Sequence, residues 1–228
     1  TEKPNSHSSP ERNAMTKVSR VYAKSSLSEN KTYVNHSWFF WANNIDRDRE
    51  KFEIITQENL NAAPDNSVII WENHYSRRLA GDVELEFFKG KKEFVELYRE
   101  ISSDKKFIAV VFLKSKNFNT EDITDYFYEL VGFEEQFSSV YVNRGHHRLN
   151  RLKNKAGDLE DYQKAIVKDC INADCNYYAG VLYYQNNLFQ NALDCFEAVN
   201  KLNNKYEPAF FNAGISAVKL GLDDLALK

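Results

Sequence analysis

The sequence predicts an α+β/α chain: a small α/β domain followed by an all-α helical solenoid. Three observations carry this. Ala173–Asn204 reads as two helices joined by a short turn, with small residues (Ala179, Gly180, Ala192) where the helices approach closely. Aromatics (Tyr177, Tyr183, Tyr184, Phe189, Phe196) fill the seam between them. Second, Ala179-Gly180 returns as Ala213-Gly214 in EPAFFNAGISAVKLG, 34 residues further on. A fixed period of this size on a helix–turn–helix unit marks a solenoid, because one helix pair cannot bury its apolar face alone. Third, two continuous apolar runs upstream, Ser67–Trp71 and Lys106–Leu113, are bounded by turn residues and suit buried strands.

Composition bounds the function. The chain has 228 residues, 43% apolar and 14% aromatic, enough for a core in each of two small domains. Thirty basic and 33 acidic residues leave a net charge of −3, so there is no bulk drive toward nucleic acid or an anionic membrane. No run approaches the ~18 apolar residues that a spanning helix needs, and the N-terminus lacks the apolar core of a signal peptide. The three cysteines (Cys170, Cys175, Cys195) all fall in the repeat region. They read as small buried thiols; a Cys170–Cys175 bridge straddling a helix junction is the alternative. The chain starts without Met and stops inside the third repeat, so further repeats are expected to follow.

In chain order, residues 1–17 (TEKPNSHSSPERNAMTK) read as a flexible polar arm. From Val18 the pattern is strand-like: VSRVYAKSS, then KTYVNHSWFFWANN. Trp38-Phe39-Phe40-Trp41 suits a core strand or the start of a core helix; the sharper reading is an aromatic patch at a membrane interface or partner surface. Asp46 or Asp48 would cap a helix carrying Phe52, Ile55 and Leu60, ended by Pro64 and Asp65-Asn66. After the Ser67–Trp71 strand, ENHYSRRLAGD reads as a loop and VELEFF as an edge strand. GKKEFVELYREISSD looks helical, with Phe94, Leu97, Tyr98 and Ile101 at i, i+3, i+4 and i+7. These elements make an α/β domain over 18–117 with a helix-covered sheet. A helix capped at Thr120 and stopped at Gly132 opens the helical domain, 118–228.

Earlier repeat features are Asn143-Arg144-Gly145 and Asp161-Tyr162-Gln163-Lys164-Ala165-Ile166; Gly145 lies 35 residues before Gly180, the extra residue fitting a longer turn near Lys153–Gly157. Period and residues together resemble the tetratricopeptide repeat (TPR). Ala179-Gly180 matches the signature of its first helix and Tyr183 its second aromatic, while Ala192, Phe196 and Val199 match the second helix. Ala213, Gly214 and Ala226 match in the last unit. Departures are Asn176 where Trp is frequent, Asp158 where Ala is usual, and Asn204 where Pro is usual. The resemblance covers roughly 138–228, with units at about 138–172, 173–206 and 207–228. It implies protein–protein recognition through a concave face built from the first helix of each unit. Asn143, Arg148, Asn176, Tyr183, Asn212 and Lys219 are the partner-binding candidates by position.

A second resemblance lies in Asn66-Ser67-Val68-Ile69-Ile70-Trp71-Glu72-Asn73-His74-Tyr75-Ser76, followed by Gly81-Asp82-Val83-Glu84-Leu85 and Phe107–Phe112. Residues 45–115 look like the soluble extracytoplasmic segment of polytopic, lipid-phosphate-sugar-dependent glycosyltransferases related to protein mannosyltransferases. That likeness implies an accessory domain whose active site lies outside this chain, and an extracytoplasmic location; a cytoplasmic one is the alternative.

Glu72, Asn73 and His74 follow a buried strand, where α/β folds place functional groups. A carboxylate and an imidazole two residues apart suit acid–base chemistry, but no nucleophile or third orienting group accompanies them, and a structural or partner-contact role stands beside that reading. His146-His147 diverge by ~100° on a helix and make a poor metal pair. Arg144, His147, Arg148, Arg151, Lys153 and Lys155 form a basic patch, read as a solvated helix face or a contact for an acidic partner. No phosphate-loop, dinucleotide, nucleophile-elbow or zincin motif occurs, and Asn30-Lys31-Thr32 and Asn35-His36-Ser37 satisfy the short glycosylation pattern. The expectation is a non-catalytic binding module with no metal, no cofactor and no nucleic-acid partner. Partner identity and oligomeric state are left open.

Overall fold

The computed structural model describes residues 9–47, 50–78, 83–115, 120–133, 138–148, 155–168 and 173–222. The chain forms two compact units, 1–136 and 137–228.

In the first unit, α1 (Pro10–Lys24) starts at Ser9, whose side chain accepts from the Arg12 N–H at 3.2 Å, with Pro10 in the first turn. Residues 10–17 are therefore helical. Ala14, Met15, Val18, Val21 and Tyr22 are buried, and Val18, Val21 and Tyr22 share one helix face. The strand-like reading of VSRVYAKSS is overturned with the arm; the rest of the arm, residues 1–8, lies outside the described residues. β1 (Thr32–Val34) leads into α2 (Ser37–Ala42), capped by His36. Within Trp38–Trp41 the two readings divide by residue: Phe39 is fully buried, while Trp41 is 56% exposed.

Phe52 falls in a two-residue strand, β2 (Phe52–Glu53), and the helix starts later, as α3 (Gln57–Ala62), capped by the Thr56 side chain. The Asp46 cap is not used, and Asp48 lies outside the described residues. β3 (Val68–Glu72) is buried throughout. It is followed by a single helical turn, α4 (Tyr75–Arg78), where a loop was expected. Leu85–Phe87 form a 3-10 turn in place of an edge strand. The predicted helix at 94–101 is instead strand β4 (Phe94–Ile101). An irregularity between Glu96 and Tyr98 buries Leu97 and Tyr98 side by side, which imitates helical spacing in the sequence. β5 (Ile108–Lys114) and α5 (Thr120–Val131) follow.

The sheet order is β2-β1-β3-β5-β4, with β1 parallel to β2 and β3, and β5 antiparallel to β3 and β4. One face carries Ile69, Trp71, Val110 and Phe112 into a core with Ile55, Leu60, Val83, Phe88 and Phe94. On the other side α1 is tied on by Tyr98, whose hydroxyl donates to the Val18 carbonyl at 3.3 Å, and by Tyr22, bonded to Thr32 at 2.8 Å. Buried Lys114 donates to the Leu60 and Asn61 carbonyls at 2.6 and 3.0 Å, satisfying the end of α3. α5 belongs to this unit: Glu129 accepts from the Ser26 N–H at 2.8 Å and Tyr126 from Asn30 at 2.8 Å. The division between units thus falls after α5, where the sequence reading placed it at 117/118.

The second unit comprises α6 (Ser138–His147), α7 (Lys155–Lys168), α8 (Ala173–Gln185), α9 (Phe189–Leu202) and α10 (Glu207–Lys219). Lys155–Gly157 are helical, and the rest of the expected longer turn lies outside the described residues. A Cβ added at Gly180 would lie 2.7 Å from the Phe196 ring, and one at Gly145 would lie 3.0 Å from the Tyr162 ring. The same glycine–aromatic approach therefore closes α6 on α7 and α8 on α9. Asn187, in the left-handed region at φ 61°, and Leu188, whose N–H donates to the Tyr183 carbonyl at 2.9 Å, make the turn into α9.

Candidate functional site

Where α7, α8 and α9 meet, Gln163, Ile166, Val167, Asn176, Tyr183, Asn191, Asp194 and Cys195 line a groove of about 360 Å³. The spacing Gln163, Ile166, Val167 is i, i+3, i+4, and Asn176 and Tyr183 are two turns apart, so each helix offers one face. Gln163 Nε2 donates to the Tyr183 hydroxyl at 2.6 Å across the groove. Val167 is 86% exposed on its edge. Burial, then the charge of Asp194, pushes the Cys195 thiol up to about 11, so it is a protonated lining group and not a nucleophile at neutral pH. Gln163 and Asn191 are exposed carboxamides beside an aliphatic ledge and can both donate to and accept from a peptide backbone, while Asn176 lies buried beneath them at 4% exposure.

The partner-binding candidates divide. Asn176 and Tyr183 come together in this groove. Asn212 donates to the Tyr177 hydroxyl at 3.3 Å between α10 and α8, and Lys219 is exposed in the last turn of α10. Asn143 is half-buried on α6. Arg148 is corrected. Its guanidinium donates to Asp161 at 2.8 Å, and Arg144 closes on the same carboxylate at 2.6 Å, with Asp161 fully buried. The expected solvated basic face is thus in part a buried ion triad; Arg151 and Lys153 lie outside the described residues, and nothing is described of the Lys155 side chain. Gln163, Val167, Asn191 and Asp194 went unnoticed because the repeat signature points to packing positions and says nothing of the outward residues beside them. Cys175 and Cys195 are free thiols, and Cys170 lies outside the described residues.

In the first unit, the Glu72–His74 segment lies at the end shared by the parallel strands β1 and β3. The Glu72 carboxylate is fully buried and accepts from the N–H groups of His74, Tyr75 and Ser76 at 2.7, 3.0 and 2.9 Å. It is committed to holding the α4 turn, which removes it as the acid–base partner of His74. Asn73 extends the β3–β5 pairing past the end of β3, its side chain bonding the Ile108 N–H at 3.0 Å and the Lys106 carbonyl at 2.9 Å. His74 Nδ1 instead pairs with Glu11 of α1 at 3.0 Å, and His36 Nε2 pairs with the other Glu11 oxygen at 2.9 Å. Since His36 Nδ1 accepts from the Trp38 N–H at 3.2 Å, neutral His36 carries its proton on Nε2 and donates it to Glu11. Burial pushes the Glu11 carboxyl up, but hydrogen bonds from His36 and His74 hold it net below its ordinary value. The arrangement is a clamp fastening α1 to the segments that follow β1 and β3.

No family model matches this chain, and no curated protein matches it. Among solved structures it is similar to MamA, at 19% identity over 47% of this chain and 63% of that one, with a TM-score of 0.43. It is also similar to YrrB, described as a TPR protein with an unusual peptide-binding site, at 18% identity over 47% of this chain and 55% of that one, TM-score 0.42. A further MamA structure gives 17% identity over 49% and 61%, TM-score 0.44. The chain spans between 55% and 63% of the length of these matches. The repeated glycine–aromatic contact, rather than these superpositions, carries the TPR-like reading of the second unit. The glycosyltransferase resemblance of residues 45–115 finds no support in the comparisons.

Proposed function

We propose that this chain is a non-catalytic protein–protein recognition module whose second unit consists of TPR-like repeats at about 138–172, 173–206 and from 207 onward. The partner lies as an extended segment in the groove between α7, α8 and α9. The exposed Gln163 and Asn191 pair with its backbone, above Asn176, which lies buried in the groove floor, and Ile166 and Val167 receive an apolar side chain. The observation that carries this reading is the groove itself: an open channel of about 360 Å³ with exposed carboxamides on α7 and α9 and a strongly exposed valine at its rim. Asn143, Asn212 and Lys219 are proposed as outlying contacts on the same unit.

The test uses an array of synthetic ten-residue peptides of varied sequence, probed with the full chain. Binding to a defined peptide subset is expected, weakened at least about tenfold by Val167→Asp, which places a charge on the apolar ledge without touching the core. No selective binding, or a Val167→Asp protein that binds the same peptides as strongly, would overturn the groove assignment.

A further inference from the structure

We propose that the outer face of α1, together with the Trp38–Trp41 stack, is a docking surface for anionic lipid, independent of the groove in the second unit. Burial turns Ala14, Met15, Val18, Ser19, Val21 and Tyr22 inward. Beyond the first turn, where Pro10 and Glu11 are partly exposed, the residues left outside on the helix are Arg12, Asn13, Thr16, Lys17, Arg20, Ala23 and Lys24, four of them cations. The helix's own acid, Glu11, is held by His36 and His74, beyond the ends of β1 and β3. Of neighbouring acids, Glu100 of β4 is paired with Lys17 at 2.6 Å, and Glu29 and Asp46 border the C-terminal end of the helix, where they line a pocket with Tyr22, Ala23 and Lys51.

Beside this basic face sits a fixed aromatic ladder. Trp38 Nε1 donates to Thr16 at 3.0 Å, which pins the indole onto α1. The Arg12 guanidinium stands 4.7 Å from the centre of the Trp38 ring. Trp41 stacks on Trp38 at 5.5 Å with the planes 20° apart, and is itself 56% exposed. A second guanidinium, Arg47, lies 5.7 Å from the Phe40 ring on the same short helix. Indoles with an apolar body and a polar N–H settle at the boundary between lipid headgroups and acyl chains, while Lys and Arg extend to the phosphates. A row of cations against an exposed, rigidly held indole matches that boundary in both polarity and sign of charge. The balanced charge of the whole chain hides this, because the cations gather on one helix face.

The experiment is sedimentation of the full chain with vesicles of phosphatidylcholine alone, or with roughly a third phosphatidylglycerol, read together with tryptophan emission. The third tryptophan, Trp71, is 3% exposed, so any blue shift reports Trp38 and Trp41. Co-sedimentation with a blue shift is expected only on the anionic vesicles. Trp41→Ala and the double variant Arg20→Glu/Lys24→Glu should each weaken it at least about fivefold, with unchanged circular dichroism confirming that both fold. Absence of binding, equal binding to both vesicle types, or full binding by both variants would overturn the proposal. So would tight binding to a single-stranded oligonucleotide with none to vesicles, which would assign the surface to nucleic acid.

Discussion

In the α6–α7 pair, the helix positions beside the close-packed glycine hold Arg144 and Arg148, closed on Asp161. In α8–α9 the matching positions, 35 and 34 residues later, hold Ala179, Tyr183 and Cys195. Both pairs nevertheless share the glycine–aromatic approach, Gly145 on Tyr162 and Gly180 on Phe196. The approach of the two backbones therefore fixes the helix pair, and the flanking positions accept any chemistry that closes. A charged solution closes only when both signs are present in good geometry, whereas the apolar one tolerates piecemeal change. The second pair, freed of that constraint, is the one whose Tyr183 and Cys195 line the groove.

Removal of Asp161 should have the largest effect. Asp161→Ala leaves two buried guanidinium groups facing each other and should cost about 3–5 kcal/mol in urea unfolding. Converting all three residues to their counterparts (Arg144→Ala, Arg148→Tyr, Asp161→Cys) should cost far less, near zero or even a gain. If the triple change is as damaging as the single one, the two pairs do not share a packing scheme. Next in size is Gly180→Ala, whose Cβ meets the Phe196 ring at 2.7 Å. It should destabilise by about 1–3 kcal/mol, while Gly145→Ala, with slightly more room and the helix-favouring gain of alanine, should lose less. The reverse ranking would show that Tyr162 is the more rigid ring.

The smallest effect contrasts a carboxylate held by arginines with one held by histidines. Glu11 has its folded value held below its ordinary 4.5, so the clamp contributes stability above that value and loses it as the pH falls through the lowered one. Glu11→Gln should therefore cost under about 1 kcal/mol at neutral pH. The difference from the parent should vanish in acid, read from thermal unfolding at a series of pH values. A difference that persists unchanged in strong acid, where the carboxyl is protonated in both states, would mean that packing, not charge, is what Glu11 supplies.

Legibility followed how local the signal was. Strands β3 and β5, helix α5 and the helix pairs α8–α9 were readable because a continuous apolar run or a repeated small-residue pair needs little knowledge of its surroundings. β4 was not, because its bulge buries two consecutive residues and only pairing with β5 reveals a strand. α1 was hidden by its polar outer face, with just enough apolar residues to seat it on the sheet. Asn176 and Tyr183, which line the groove, were named through the repeat. Arg148 was misjudged, since a cation on a helix reads as solvated until its carboxylate, 13 residues away on another helix, is in place.

By itself the sequence determined that a strand-containing region precedes helical repeats, because apolar periodicity and the 34-residue recurrence are properties of the chain alone. The tertiary structure alone decided where charge goes. It decided that Glu72 is spent on backbone N–H groups, that Asp161 is shut between two arginines, and that Glu11 joins two histidines from different loops. It also gathered the cations of α1 beside an exposed indole. The worth of a charge depends on its solvation and on its nearest partner, and both are set by distances between segments far apart in the sequence.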